Sequence, residues 1–199
     1  MDHVRLSYTE WDAQCTAFAT DNPEFNALLS RSVQDLRLLS QREGDEAYFP
    51  SAGTPLFCCP FGRDSLITAL QALSLNPAIA VGTLRVLARY QGEVEDEWRE
   101  EQPGKILHEL RKGEMARLRL VPHSPYYGTV DATPLFVMLA DAYLETARNR
   151  LGGVGGHLAQ LLVGQRRAVD QHGGMGEPLV VLDQPAELVE RGLNVLLQP

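Results

Sequence analysis

FGRDSLITALQALSLNPAIAVGTLRVLARYQ, residues 61–91, is the stretch whose periodicity decides the fold class. Asp64 is a helix-opening residue, and Leu66, Ile67, Leu70 and Leu73 recur at steps that place them on one inward face. Asn76-Pro77 is the next start signal, and Ile79, Val81, Leu84 and Leu87 carry a second helix to about Gln91. Upstream, Asp21 or Asn22 can cap a helix running to Leu39, with Pro23 suited to its first turn and Glu24 to the positive helix end. Phe25, Leu28, Leu29, Val33, Leu36 and Leu39 form its apolar stripe. Downstream, Ile106 to Leu118 fits a short helix. Thr133-Pro134 starts a strong one through Leu135, Phe136, Leu139, Tyr143 and Leu144 to about Arg148. No segment sustains the apolar–polar alternation of a half-buried strand between turn signals, so the chain is predicted to be all-α.

The loops between these helices hold the chemistry. Residues 40–63, SQREGDEAYFPSAGTPLFCCPFGR, are rich in Gly, Pro and aromatics, and Tyr48, Phe49, Phe57 and Phe61 argue for order. The acidic run Glu93, Glu95, Asp96, Glu97, Glu100 and Glu101 reads as a solvated surface, with Trp98 and Arg99 inside it. From Leu151 onward no aromatic occurs and glycines cluster. Weak helices near His157–Val169 and from Pro185 to Leu197, the latter capped by Asp183, are the only elements expected there. LGGVGG has no preceding strand and no following GK[ST], so it is a turn and not a phosphate loop.

Composition narrows the partners. The 199 residues are 44% hydrophobic and 22% charged, which suits a globular domain. A net charge of −8 offers no footprint for nucleic acid. No apolar run is long enough for a membrane span, and the polar, acidic start MDHVRLSYTEWDAQ lacks the features of a signal peptide, so the cytoplasm is the expected compartment. Cys15, Cys58 and Cys59 make neither a disulfide framework nor a zinc spacing, and they are read as small buried residues of a reducing compartment. No cofactor or metal is expected.

Arg63-Asp64 combines a rigid fork of donors with a bidentate acceptor, a pair suited to vicinal sugar hydroxyls. The competing reading has Asp64 capping its own helix while Arg63 pairs with a nearby carboxylate. Glu109 and Glu114, five apart, would not share a helical face and so make a poor catalytic pair. His108 is a candidate base or ligand, though a lone histidine is more often structural. Tyr126 and Tyr127 offer aromatic faces for sugar C–H groups, while Asp131 can bind a hydroxyl or help cap the next helix.

The runs FGRDSLITALQAL, EEQPGKILHELRKGEMA and YYGTVDATPLFVMLADAYLE resemble bacterial amylo-alpha-1,6-glucosidases of the glycogen-debranching type, in the family's order. TDNPEFNALLSRSVQDLRLL resembles the segment preceding them, so the likeness covers about residues 11–147. Arg63-Asp64 looks like the Arg-Asp pair with which glucoamylase-type enzymes hold the non-reducing glucose. The resemblance implies a six-hairpin (α/α)6 toroid, here a partial one with about half of the helices. Residues 1–150 would form the N-terminal part of that domain and 151–199 a divergent or frameshifted tail. It also implies hydrolysis of an alpha-glucosidic bond by an acid and a base, roughly 6.5–9.5 Å apart in inverting enzymes. Arg63, Asp64, Glu109, Tyr127 and Asp131 are the substrate-binding residues carried over.

The departures are specific. The NQGWKDS-like segment that bears the family's acid is not found here, nor is the base beyond it, nor the TGD turn after Tyr143. Leu56 stands where the family commonly has tryptophan. The expectation is an incomplete alpha-1,6-glucosidase of glycogen metabolism that retains residues for gripping an alpha-glucan or oligosaccharide, lacks the catalytic carboxylate pair and is inactive alone. The alternatives are a non-catalytic carbohydrate-binding or interaction module, or an active hydrolase drawing its pair from Asp64, Glu109, Glu114 and Asp131. Half a toroid would leave apolar helix faces bare, so self-association is expected.

Overall fold

The computed structural model describes residues 2–42 and 49–150. Tyr48, the tail 151–199 and the helices expected at His157–Val169 and Pro185–Leu197 lie outside them. The described chain is mostly helical, with α1 (Asp2–Gln14), α2 (Pro23–Leu39), α3 (Gly62–Gln71), α4 (Ala78–Arg89), α5 (Glu114–Arg117) and α6 (Ala132–Arg150). A short ribbon of β1 (Ser40–Gln41) and β2 (Phe49–Pro50) pairs antiparallel, Ser40 opposite Pro50 and Gln41 opposite Phe49. Among the described residues no helix is long and apolar enough to cross a membrane.

Helix α1 has no counterpart in the sequence reading because its residues are mostly polar. Its anchor is one side chain. Trp11 is fully buried and its Nε1 donates to the Val33 carbonyl at 3.1 Å, fastening α1 to α2. At α2 the cap is Asn22, whose Oδ1 accepts from the amides of Glu24 (2.9 Å) and Phe25 (3.1 Å). The expected stripe is only half used. Val33 and Leu36 pack against the core, while Phe25 and Leu28 stay exposed.

Helix α3 begins at Gly62, two residues before Asp64, and the turn 72–77 sends α4 back against it. Buried Asn76 accepts from the Ala78 amide at 3.0 Å and so opens α4. Leu66, Ala69, Ile79, Leu84 and Leu87 form the heart of the core, joined by Phe136 and Leu139 of α6. Ile67, expected to face inward, is instead exposed. The ribbon is tied to α3 where the Ser65 hydroxyl donates to the Pro50 carbonyl at 2.6 Å.

The helix expected over Ile106–Leu118 is a correction. Only Glu114–Arg117 is helical, and residues 106–111 run extended between two neighbouring strips. Their amides are committed outward: Ile106 to Thr133 Oγ1 (3.0 Å), His108 to Tyr126 O (2.7 Å), Leu110 to Pro60 O (3.0 Å) and Arg111 to His123 O (2.6 Å). Ile106, Leu107 and Leu110 are buried, so their helix-like spacing reflects core contacts of an extended segment. Gly62 and Ala132, the first residues of α3 and α6, lie against each other at the end of this strip. The two helices therefore start from one corner.

Candidate functional site

That corner brings together residues far apart in the chain. Arg63 Nη1 donates to Asp131 Oδ2 at 3.0 Å, both groups remaining partly exposed. The other Asp131 oxygen accepts from the Thr129 hydroxyl. The Thr129 hydroxyl first, and then the Arg63 guanidinium, hold the Asp131 carboxyl below its ordinary value. Asp131 is thus an ionised acceptor, and the stability it contributes is lost only as pH falls through that lowered value. Asp64 sits in the first turn of α3, partly buried, and no hydrogen bond or ion pair of its carboxylate occurs among the described residues. It does not cap the helix, whose N-cap is Phe61 without a side-chain cap bond. Arg63 does take a carboxylate partner, on the loop residue that immediately precedes α6.

Glu109 lies on the adjacent ledge. Its backbone bridges to Phe61 on one side and Tyr126 on the other. The residue is 6% exposed: one side-chain oxygen accepts from Arg111 Nε, and the other lies 3.8 Å from His123 Nδ1. Arg111 also donates to the Leu56 carbonyl at 3.0 Å and lies 5.7 and 5.8 Å from the ring centres of Phe57 and Phe61. Glu114 stands apart, exposed at the start of α5.

A run of ring contacts crosses this ledge, edge-on except for the tilted last pair. Phe57 and Phe61 are 5.9 Å apart, Phe61 and His108 5.8 Å, His108 and Tyr126 6.0 Å, and Tyr126 and His123 5.4 Å. His123 carries no signal in the sequence, and Phe57 stands out there only as part of the aromatic loop Tyr48–Phe57, a candidate stretch whose competing reading is ordinary core. That signal is aromatic content in the loop, without any hint of which rings meet. Leu56, at the position where tryptophan was expected, is 72% exposed.

Of the two tyrosines, Tyr127 faces the core. It is 2% exposed and its hydroxyl donates to the Tyr90 carbonyl at 2.9 Å, so its ring offers no outward stacking face. The half-exposed partner is Tyr126, whose hydroxyl donates to Glu100 Oε1 at 2.8 Å. Burial, followed by the nearby Glu101 carboxylate, pushes Tyr127 up to about 12. A group raised in the folded state stabilises fully below the unfolded tyrosine value and loses that contribution as pH rises through the folded one. We expect stability to drop between about pH 10 and 12. Tyr127→Phe should flatten that drop in urea titrations, at a cost near neutrality of about 1 kcal/mol for the lost hydrogen bond.

The acidic run is not simply a solvated face. Asp96 and Glu101 close a turn by mutual backbone bonds of 3.1 and 3.0 Å. Arg99 sits inside it, bonding Asp96 at 2.9 Å and pairing with Glu101. Glu101 is 5% exposed and accepts from the Glu93 amide at 2.9 Å and the Val94 amide at 3.4 Å. The cysteines also differ from expectation, since Cys58 is exposed and Cys15 and Cys59 are partly buried, with burial pushing the Cys59 thiol up. Among the described residues, no group of three or more His, Cys, Asp or Glu is arranged to hold a metal ion.

Five residues carried from the sequence are thereby placed. Arg63, Asp64 and Asp131 share one corner, Glu109 is buried beside it, and Tyr127 is in the core. No protein-family model and no curated protein matches this chain.

Proposed function

We propose that this chain is an alpha-glucan-binding relative of the six-hairpin glycosidases that holds a glucose residue at the α3–α6 corner without hydrolysing it. The observation that carries the reading is the 3.0 Å pairing of Arg63 with Asp131, 68 positions apart, with Asp64 following Arg63 in the first turn of α3 and its carboxylate without a partner among the described residues. A guanidinium and two carboxylates, partly exposed, present donors and acceptors to adjacent hydroxyls. The order of helices supports a partial toroid. Two helices start side by side, and α4, reversed between them in sequence, packs on both. Bare apolar side chains on α2 support the expected self-association.

We expect no turnover because the sequence contains no counterpart of the acid-bearing segment of the enzymes it resembles. Glu109, the one nearby carboxylate outside the corner considered for catalysis, is buried beneath Arg111 and pinned by its own ion pair. Calorimetric titration with maltose tests the reading. We expect measurable binding to the wild-type chain and a drop of about tenfold or more for Asp64→Ala and for Arg63→Ala. Thermal stability should change little in either, because Arg63→Ala removes an exposed ion pair contributing only about 0–1 kcal/mol and Asp64→Ala removes no ion pair of the described residues. Equal maltose affinity in all three proteins would rule out this corner.

A further inference from the structure

Trp98 is 59% exposed, an unusual position for the largest apolar side chain, and it sits on a turn held on every side. The Asp96 carboxylate accepts from the Trp98 amide at 2.9 Å and the Arg99 amide at 3.2 Å. Lys105 Nζ donates to the Glu100 carbonyl at 2.9 Å, and the Tyr127 amide donates to the Arg99 carbonyl at 2.8 Å. Glu100 is held at φ 52°, in the left-handed region that a side chain disfavours, and it receives the Tyr126 hydroxyl. The turn is rigid, strained and joined through Tyr126 to the ring ledge.

We infer that Trp98 is a stacking platform for a second sugar residue of a bound alpha-glucan, and so sets a preference for longer chains. This rests on the glucan-binding reading above. An indole face covers the apolar C–H side of a hexose, and a fixed turn loses little entropy when it does so. Glu97, exposed beside it, supplies a carboxylate acceptor for that sugar's hydroxyls. The corner would hold one glucose unit and Trp98 a unit further along.

The full-length chain, Trp98→Ala and Trp98→Phe are titrated with maltose and with maltoheptaose. We expect maltoheptaose to bind the wild type about tenfold more tightly than maltose, a ratio that falls close to one in Trp98→Ala and largely returns in Trp98→Phe. Acrylamide, a neutral quencher that the acidic run does not repel, gives a second readout on the unaltered protein. Trp11 is fully buried, so quenchable fluorescence reports Trp98. Maltoheptaose should protect that fluorescence and maltose should not. A chain-length preference that survives in Trp98→Ala, or fluorescence that maltoheptaose leaves fully quenchable, overturns the platform while leaving the corner intact. Failure of both sugars to bind the wild type overturns the corner and the platform together.

Discussion

Gly62→Ala should destabilise the protein by more than about 3 kcal/mol, the upper end of what overpacking costs when the surroundings cannot yield. A Cβ on Gly62 would lie 2.1 Å from the Leu107 carbonyl oxygen and 3.1 Å from Ala132 Cβ. Both obstacles belong to fixed elements. The Leu107 oxygen is on the extended strip, beside the His108 carbonyl that accepts the Gly62 amide at 2.9 Å, and Ala132 opens α6. Relief requires parting α3 from the strip or from α6, which dismantles the corner holding Arg63 and Asp131. Helix propensity alone gives the opposite sign, since alanine inside a helix is favoured over glycine by about 1 kcal/mol. Gly53→Ala and Gly113→Ala, where an added Cβ meets nothing within 4 Å, serve as controls expected to stay within about 0.5 kcal/mol. Urea midpoints measured on the three variants decide the matter. A Gly62→Ala protein as stable as the wild type would mean that the α3–α6 contact is looser than described.

Glu101→Ala should cost about 3 kcal/mol, the lower end for breaking a buried ion pair. The substitution leaves the Glu93 and Val94 amides without their acceptor and removes one of the two carboxylates that hold Arg99. Asp96 remains on Arg99, so the cation is not stranded, and the loss stays at the lower end. Glu101→Gln keeps an oxygen for the two amides and should lose less. Melting temperatures of both variants against the wild type test this, and an unchanged Glu101→Ala would return the acidic run to a solvated surface.

The helices that fill the core were legible because apolar periodicity and start signals coincide. Asn22 and Asn76 mark helix starts in the sequence and serve them in the structure, whereas the Thr133 hydroxyl, one residue inside α6, accepts instead from the Ile106 amide. Two elements were not legible, for different reasons. Helix α1 is held by one tryptophan, and a single anchor makes no period. Residues 106–111 have helix-like spacing, yet their amides are captured by strips distant in sequence, and tertiary partners override local preference. At the candidate site, residue types left Arg63, Asp64 and Asp131 open between sugar holding and structural roles, and the resemblance carried them forward. Their pairing is long-range, and so is the burial that turns Tyr127 inward and covers Glu109 with Arg111. Nothing in an acidic run announces that Glu101 will be buried, because the amides it satisfies belong to its own turn.

The most direct measurement incubates the purified chain with a branched alpha-glucan, follows free glucose, and titrates the same preparation with maltoheptaose by calorimetry. We expect heat of binding that saturates and no glucose above the protein-free control. Glucose released by the unaided chain would show that a working carboxylate pair is present, and the absence of any binding heat would show that the α3–α6 corner holds no sugar.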